Sequence, residues 1–231
     1  MDCKKGKLAY NGATKKVYPV LEDDTKIVLH FKDTLDVKNA KQSSVKGKGN
    51  VNADMCSTLF TFLNSYHVYS HFIEQISENE LLVKKAQPLR IRVIIWNIAD
   101  KRFSRTYKID KGYPLEYPVL EYYLKDSSLK DPMISPDYVC AFSLASHDEM
   151  KYIDNTSRKI NAVLKSFFNR RQLALGAVML EFGRDIEDGR IILIDEISSD
   201  SLYFYNLETG KEFFSGYKNL LDAYKELHDR F

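Results

Sequence analysis

Apolar residues in the first third of the chain follow patterns that predict β-strands. The segments Lys16–Val20 and Lys26–Phe31 flank the turn-like Glu22–Asp24, as in a β-hairpin. The segment Leu81–Lys85 predicts a further strand, which Pro88 is expected to interrupt. This part of the chain is therefore predicted to be rich in β-structure.

A helix is predicted after a polar loop. The stretch Asp33–Asn50 has little periodicity and is predicted to be that loop. Behind it, apolar residues recur at helical spacing from Met55 to Leu63. Asn52 or Asp54 is the expected N-cap of this helix, because short polar side chains accept a bond from the first free N–H groups.

The rest of the chain mixes strands with helices. The predicted elements are a β-rich run at Leu89–Ile98, a long helix at Asp148–Arg170, a β-hairpin at Ala177–Ile197 and a final helix that carries apolar residues from Tyr217 to Leu227. Strands followed by mixed strands and helices are typical of the α+β class.

This order of elements predicts two lobes. We expect a β-rich lobe over residues 1–86 and an α/β lobe over residues 87–231, with the boundary near residues 85–88. Ligands commonly bind in clefts between such lobes. A ligand site is therefore predicted between the two lobes.

The composition excludes several classes of protein. The 34 basic and 32 acidic residues leave a net charge of +2, which argues against a dedicated nucleic-acid binder. Cys3, Cys56 and Cys140 are widely spaced, so neither a disulfide framework nor a zinc site is expected, and a cytoplasmic location fits best. No apolar run is as long as a membrane span, and the N-terminus does not resemble a signal peptide.

Two carboxylates on the predicted hairpin are the most informative local feature. With the turn centred on Asp188, Glu181 faces Asp195 across the two strands, on a face that is otherwise apolar. Opposed like charges destabilise a sheet, and burial adds to the cost. Mg²⁺ would compensate, since it typically binds one or two carboxylates plus substrate phosphates. If the register is shifted by one residue, the carboxylates are instead a solvated strand end.

Six motifs along the chain occur in an order that points to one family. They are Gly12–Tyr18, Gly47–Asn52, Leu82–Lys85, Leu124–Asp126 with Asp131–Met133, Leu180–Gly183 (LEFG) and Asp195–Asp200 (DEISSD). The last two are very similar to the signature Lys-Leu-Glu-Phe-Gly followed by Asp-Glu-x-Ser-Pro-Asp. Over nearly its whole length the chain resembles the SAICAR synthetase (phosphoribosylaminoimidazole-succinocarboxamide synthase) family.

The resemblance implies a fold, a reaction and partners. The implied fold is α+β and two-lobed, related to the ATP-grasp and kinase folds, with a β-rich N-terminal lobe, an α/β C-terminal lobe and ATP between them. The implied reaction is amide formation with ATP and Mg²⁺: a carboxylate is activated as an acyl phosphate, and an amine then attacks it. The partners would be small-molecule substrates rather than nucleic acid or membrane, and a homo-oligomer is expected on base rates.

The resemblance also implies roles for individual residues. ATP would be bound by Lys15, Val17, Lys84, Lys85, Glu181 and Asp195, and Mg²⁺ by Glu181 and Asp195. The implied catalytic residues are Lys125, Asp131 and Asp200. For Lys15, Lys84 and Lys125 the alternative is an ordinary solvated lysine.

Several positions depart from the family pattern. Residues that resemble the family's substrate-binding positions but differ in type are Arg92, Trp96, Arg102 and Tyr203. The family has arginine where Trp96 and Tyr203 stand, and those arginines meet a substrate phosphate. We predict that these four residues bind the substrate and that the substrate has changed. The alternative for Trp96 is packing in the core.

Four functions follow from this pattern. The leading prediction is a divergent ATP- and Mg²⁺-dependent amide ligase with an altered substrate. The first alternative is SAICAR synthetase itself, which uses carboxyaminoimidazole ribonucleotide, L-aspartate and ATP in purine biosynthesis. The second is a non-catalytic nucleotide-binding homologue, because Ala13, Ala177 and Met179 replace polar family residues. The third is a phosphotransferase that stops after phosphorylation.

Overall fold

The computed structural model describes residues 3–34, 44–216 and 219–231. The strands are β1 (Tyr10–Asn11), β2 (Lys15–Val20), β3 (Asp23–Phe31), β4 (Phe72–Ser77), β5 (Glu80–Lys84), β6 (Ala86–Ile98), β7 (Pro114–Leu124), β8 (Met133–Ile134), β9 (Leu173–Asp185), β10 (Ile191–Ile194) and β11 (Leu202–Asn206). The α-helices are α1 (Lys48–Ser65), α2 (Lys101–Tyr107), α3 (Pro136–Ala141), α4 (His147–Asn169) and α5 (Leu220–Asp229). Short 3-10 helices occupy Ser127–Leu129 and Phe213–Gly216. None of the described helices has the length and apolar character needed to cross a membrane.

The chain forms two compact units, each built from separate segments. The first unit contains Met1–Gln87, Arg184–Asp200 and Tyr217–Phe231, and the second contains Pro88–Gly183 and Ser201–Gly216. The functional lobes 1–86 and 87–231 stay a prediction.

The first unit is built on an antiparallel sheet in the order β1-β2-β3-β5-β4. Helix α1 packs against β3, β4, β5 and α5. Val28, Phe31, Leu59 and Val83 are among the buried side chains of this core. The predicted hairpin of β2 and β3 and the predicted strand at β5 are confirmed, since both form ladders of this sheet.

Helix α1 begins between one and two turns before the predicted caps. Its N-cap is Gly47, at a φ of 87°, and Asn52 and Asp54 lie inside the helix. The side chain of Asp33 replaces a local cap, accepting from the N–H of Gly47 at 3.1 Å and of Gly49 at 2.9 Å. The predicted loop end and N-cap were wrong because the cap comes from a residue distant in sequence.

The second unit contains strands in the order β9-β6-β7-β8, with β11 paired to β9. Strand β6 begins at Ala86 and continues through Pro88, so the predicted interruption is wrong. The β6–β7 ladder starts at Ile91, where it pairs with Leu124, so the missing N–H of Pro88 lies before this ladder. Helix α4 confirms the predicted long helix and begins with a capping box of Ser146 and Glu149.

The turn between β9 and β10 has a different register from the predicted one. The N–H of Asp185 donates to the carbonyl of Arg190 at 2.9 Å, whereas a turn centred on Asp188 would pair Asp185 with Ile191. Asp195 follows β10 rather than belonging to it, and its φ is 68°. The predicted cross-strand pairing of Glu181 with Asp195 is therefore wrong.

The final helix is confirmed as α5, and the side chain of Asn219 caps it by accepting from the N–H of Leu221 at 3.1 Å. Tyr224 and Leu227 are buried, whereas Leu220 is exposed. Tyr217 lies outside the described residues.

Gly49 lies where a side chain has no room. A Cβ atom there would stand 2.7 Å from the carbonyl oxygen of Phe31. We predict that Gly49→Ala destabilises the protein by about 1–3 kcal/mol, the usual cost of overpacking. Urea unfolding would measure the change. The control is Asn50→Ala on the same turn, for which we expect about 0.5 kcal/mol or less, and equal stability of both variants would contradict the prediction.

Candidate functional site

The first unit buries the ammonium group of Lys15 between two acidic side chains. Lys15 is the first residue of β2 and its side chain is 12% exposed. Its Nζ lies 2.9 Å from Oδ1 of Asp195 and also contacts Oε1 of Glu196. It lies 5.6 Å from the ring centroid of Phe31. Lys15 is therefore not an ordinary solvated lysine.

These two carboxylates stabilise the protonated, positively charged form of Lys15. Burial disfavours the ammonium form, but the attraction of Asp195 and Glu196 outweighs it and raises the pKa of Lys15 above its usual value. Two carboxylates around one ammonium leave a net negative charge. Lys15 therefore stays cationic at any physiological pH, and a ligand phosphate would compete with carboxylates that are already in place.

Glu196 is a site residue that was missed among the predicted ones, although it stands inside the DEISSD motif. Its side chain is 5% exposed. Oε1 accepts from the hydroxyl of Thr14 at 3.1 Å, and Oε2 accepts from the hydroxyl of Ser198. These bonds fix the carboxylate that holds Lys15.

Asp200 has its own buried cation. Its Oδ2 contacts Nζ of Lys48 and accepts from Nδ2 of Asn52 at 2.9 Å. Burial raises the pKa of Asp200, repulsion from Glu196 adds to this, and Lys48 opposes both. Lys48 and Asn52 were not predicted as site residues, because their burial depends on where α1 begins.

The predicted ATP-binding residues Lys84, Lys85 and Val17 lie on strands of the first unit or beside them. Nζ of Lys84 lies 2.8 Å from Oδ2 of Asp185 and 3.3 Å from Oε2 of Glu187. The hydrogen bond that Lys84 donates to Asp185 is the main cause of the raised pKa of Lys84.

The other two contribute mainly through their backbone. Lys85 is exposed, and its N–H donates to the carbonyl of Thr25 at 2.7 Å. Val17 pairs with Tyr10 and Leu29 in the sheet. Any contact of these two residues with ATP stays a prediction.

In the second unit, Glu181 connects three predicted site residues. Oε2 accepts from Nζ of Lys125, and Oε1 accepts from Nε of Arg92 at 3.3 Å. Nη1 of Arg92 also lies 3.8 Å from Oδ2 of Asp131. Asp131 in turn accepts from the N–H of Asp126 at 2.9 Å. Lys125, Asp131, Arg92 and Glu181 therefore form one cluster.

Two of the other predicted substrate-binding residues, Trp96 and Arg102, bond to a buried carboxylate, Glu121. It accepts from Nε1 of Trp96 at 2.8 Å and from Nη2 of Arg102 at 2.7 Å. It also accepts from the hydroxyl of Tyr123 at 2.8 Å. Tyr203 stacks at a tilt on Trp96, with ring centroids 6.1 Å apart. Trp96, Arg102 and Tyr203 are thus neighbours, and Arg102 is neutralised.

Trp96 is packed in the core, as the alternative interpretation held. Its side chain is buried together with Ala99, Phe103 and Ala177. Tyr203 is 49% exposed, and its pKa is raised mainly by partial burial. Tyr203 therefore presents the accessible ring of this pair.

The donor set only partly matches a metal centre. Within residues 3–34, 44–216 and 219–231, no three His, Cys, Asp or Glu side chains converge as metal ligands. Asp195 nevertheless fits Mg²⁺ by its chemistry, because it is an oxygen donor, is 35% exposed and belongs to a group with excess negative charge.

Comparison with known proteins gives one family. Residues 8–225 match the model of the SAICAR synthetase family. The phosphoribosylaminoimidazole-succinocarboxamide synthase of Nitratiruptor sp. is 37% identical over 211 residues, which is 90% of this chain and 87% of that protein.

Solved structures agree with the sequence match. The synthase of the same name from Ehrlichia chaffeensis has a TM-score of 0.91 and 30% identity, over 97% of this chain and 98% of that one. A SAICAR synthetase in complex with ADP has a TM-score of 0.89 and 32% identity, over 96% of each chain. The predicted α+β, two-lobed SAICAR synthetase-like fold is confirmed.

Glu121 is the acceptor on which the aromatic cluster depends. We predict that Glu121→Ala destabilises the protein by about 3 kcal/mol, because it leaves the cation of Arg102 and the indole N–H of Trp96 without their acceptor. Thermal or urea unfolding would measure this. Glu116→Ala on the exposed side of the same strand is the control, and a similar loss in both variants would refute the role of Glu121.

Proposed function

This chain belongs to the SAICAR synthetase family, and we propose that it carries out the reaction for which the family is named. It is an ATP-dependent carbon–nitrogen ligase. The proposed substrates are carboxyaminoimidazole ribonucleotide and L-aspartate. The observation that carries this proposal is the match to synthases of that name across nearly the whole chain. The leading prediction of an altered substrate finds no support in these relatives, which favour SAICAR synthetase itself.

The proposed reaction has two steps. The substrate carboxylate attacks the γ-phosphorus of ATP, forming an acyl phosphate and releasing ADP. The amine of aspartate then attacks the acyl carbon, loses a proton and expels phosphate, which leaves the amide. Both steps are assisted by fixed cations near the phosphoryl group, because negative charge is concentrated there.

The residues of this chain supply such cations in fixed positions. Lys15 would contact ATP phosphates, with its ammonium already desolvated and held by Asp195 and Glu196. Lys125 would neutralise the reacting group and is held by Glu181. Asp131 and Asp200 are the proposed catalytic carboxylates. Prearranged charges act without reorganisation during the reaction, which is the main source of their effect.

Mg²⁺ remains part of the proposal rather than a finding. Asp195 is the proposed oxygen ligand, since it is a partly exposed carboxylate in a group with excess negative charge, and the binding of Mg²⁺ by Glu181 stays a prediction. When bound with ATP, Mg²⁺ would neutralise phosphate charge. A cytoplasmic location and a homo-oligomer also stay predictions.

Product formation tests the proposed function directly. The purified protein is mixed with MgATP, L-aspartate and carboxyaminoimidazole ribonucleotide, and mass spectrometry follows the succinocarboxamide product. We expect product at an enzymatic rate in the wild-type protein. Binding of MgATP without any product would instead favour the non-catalytic alternative.

Removing the charge of Lys15 is expected to lower kcat/KM by about 10²–10³-fold, the usual effect of deleting one group that stabilises transition-state charge. The variant is Lys15→Met. The control is Lys16→Met, on the next residue of β2, because successive side chains of a strand point to opposite faces of the sheet. Equal activity of both variants would contradict the role of Lys15.

Neutralising Asp195 is expected to weaken the response to the metal. In Asp195→Asn, we predict that the Mg²⁺ concentration giving half-maximal rate rises by about tenfold or more, because loss of one ligand contact of roughly 1.4 kcal/mol changes an affinity tenfold. Titration of Mg²⁺ at saturating ATP measures it. An unchanged midpoint would exclude Asp195 as a ligand.

A further inference from the structure

Lys48 is a cation buried completely inside the first unit. It is the first residue of α1, and its side chain is 0% exposed. Its ammonium contacts Oδ2 of Asp200. Two features of the neighbouring residues place it there: Gly47 adopts a left-handed φ of 87°, and Gly49 lies against the carbonyl of Phe31. The Gly-Lys-Gly sequence therefore directs the lysine inward.

This position is unfavourable for a lysine on two counts. Desolvating an ammonium group costs several kcal/mol, and a buried ion pair is often no more stable than apolar residues of the same volume. The N-terminus of a helix also carries a partial positive charge, which repels a cation. Stability alone therefore does not account for Lys48, and an apolar side chain such as methionine would fill the space.

The surroundings of Asp200 explain what the cation does. Glu196 is the nearby anion, Lys15 is a second cation, and Tyr224 of α5 also faces the carboxylate. Burial and Glu196 both raise the pKa of Asp200, and Lys48 is the largest influence that lowers it. Without Lys48, the balance moves towards a protonated Asp200.

Further bonds fix the direction of the carboxylate. Asn52, one turn after Lys48 on α1, donates to the same oxygen of Asp200 at 2.9 Å. The hydroxyl of Ser199 donates to Oδ1 of Asn52 at 2.6 Å. The N–H of Asp200 donates to the hydroxyl of Ser198 at 3.1 Å. Helix α1 thus holds the end of the DEISSD motif through two residues of one face, Lys48 and Asn52.

We propose that Lys48 is a positioning residue that acts through Asp200, keeping its carboxylate ionised and oriented for the ligase reaction. The inference rests on the proposed function, in which Asp200 is a catalytic carboxylate. Lys48 itself is enclosed and need not touch a substrate. A series of contacts connects Asp200 with Lys15: Asp200 bonds to Ser198, Ser198 bonds to Glu196, and Glu196 pairs with Lys15.

The test compares Lys48→Met with Lys46→Met over pH 5–9, measuring kcat, the KM for ATP and the melting temperature. In Lys48→Met we expect kcat at pH 7 to fall by about 10²-fold, the scale of a misplaced catalytic group. The acid limb of the kcat profile should move to higher pH, because Asp200 then holds its proton more tightly. KM for ATP should change less than about threefold.

Lys46 is exposed, so its variant should match the wild type. A drop in kcat with an unmoved acid limb would show a structural role only and overturn the proposal. An unchanged kcat would overturn it too. If the wild-type protein forms no product, both the proposed function and this inference are wrong. If the wild-type protein turns over normally and the pH profile of kcat is unchanged in Lys48→Met, only this inference is wrong.

A second variant covers the case in which Lys48→Met does not fold. Asn52→Leu keeps the ion pair but removes the other donor to Oδ2 of Asp200. We expect a kcat loss of about tenfold, in line with loss of a supporting contact of roughly 1.4 kcal/mol, and a smaller shift of the acid limb in the same direction. Full wild-type kcat with an unshifted limb in this variant would overturn the proposal.

Discussion

The first unit depends on the pairing of two enclosed ammonium groups with the carboxylates of residues 195–200. Lys15 contacts Asp195 and Glu196, and Lys48 contacts Asp200. Removing one partner of such a pair leaves an uncompensated charge and typically costs about 3–5 kcal/mol. The start of β2, the start of α1 and the segment after β10 must therefore come together as a set. That set also contains Lys15, the proposed contact of the ATP phosphates.

The second unit follows the same principle. Glu181 accepts from Arg92 and Lys125, and Glu121 accepts from Arg102. Each of these cations is already satisfied by a carboxylate. A phosphate ligand then exchanges one anionic partner for another rather than meeting a bare cation. Binding of this kind selects for geometry more than for charge, because the attraction is already offset within the protein.

Local patterns predicted most elements, and the errors have specific causes. The period of apolar residues identified α4, α5 and the β2–β3 hairpin correctly. The start of α1 was missed because Asp33 caps it from outside the local sequence. The turn register was wrong by one residue because Asp185 bonds to Arg190 rather than to Ile191. Rules for caps and turns consider only residues that are close in sequence.

By itself, the sequence determined the family, the α+β class and the identity of most candidate site residues, because ordered motifs and apolar periodicity are local properties of the chain. Which charges are partnered follows from the three-dimensional fold alone. Glu196 and Lys48 gained their roles from contacts across more than 150 residues of sequence, and Trp96 proved to be a core residue with its N–H on Glu121. Burial and ion pairing depend on a residue's neighbours in space, and those neighbours come from segments that are far apart in sequence.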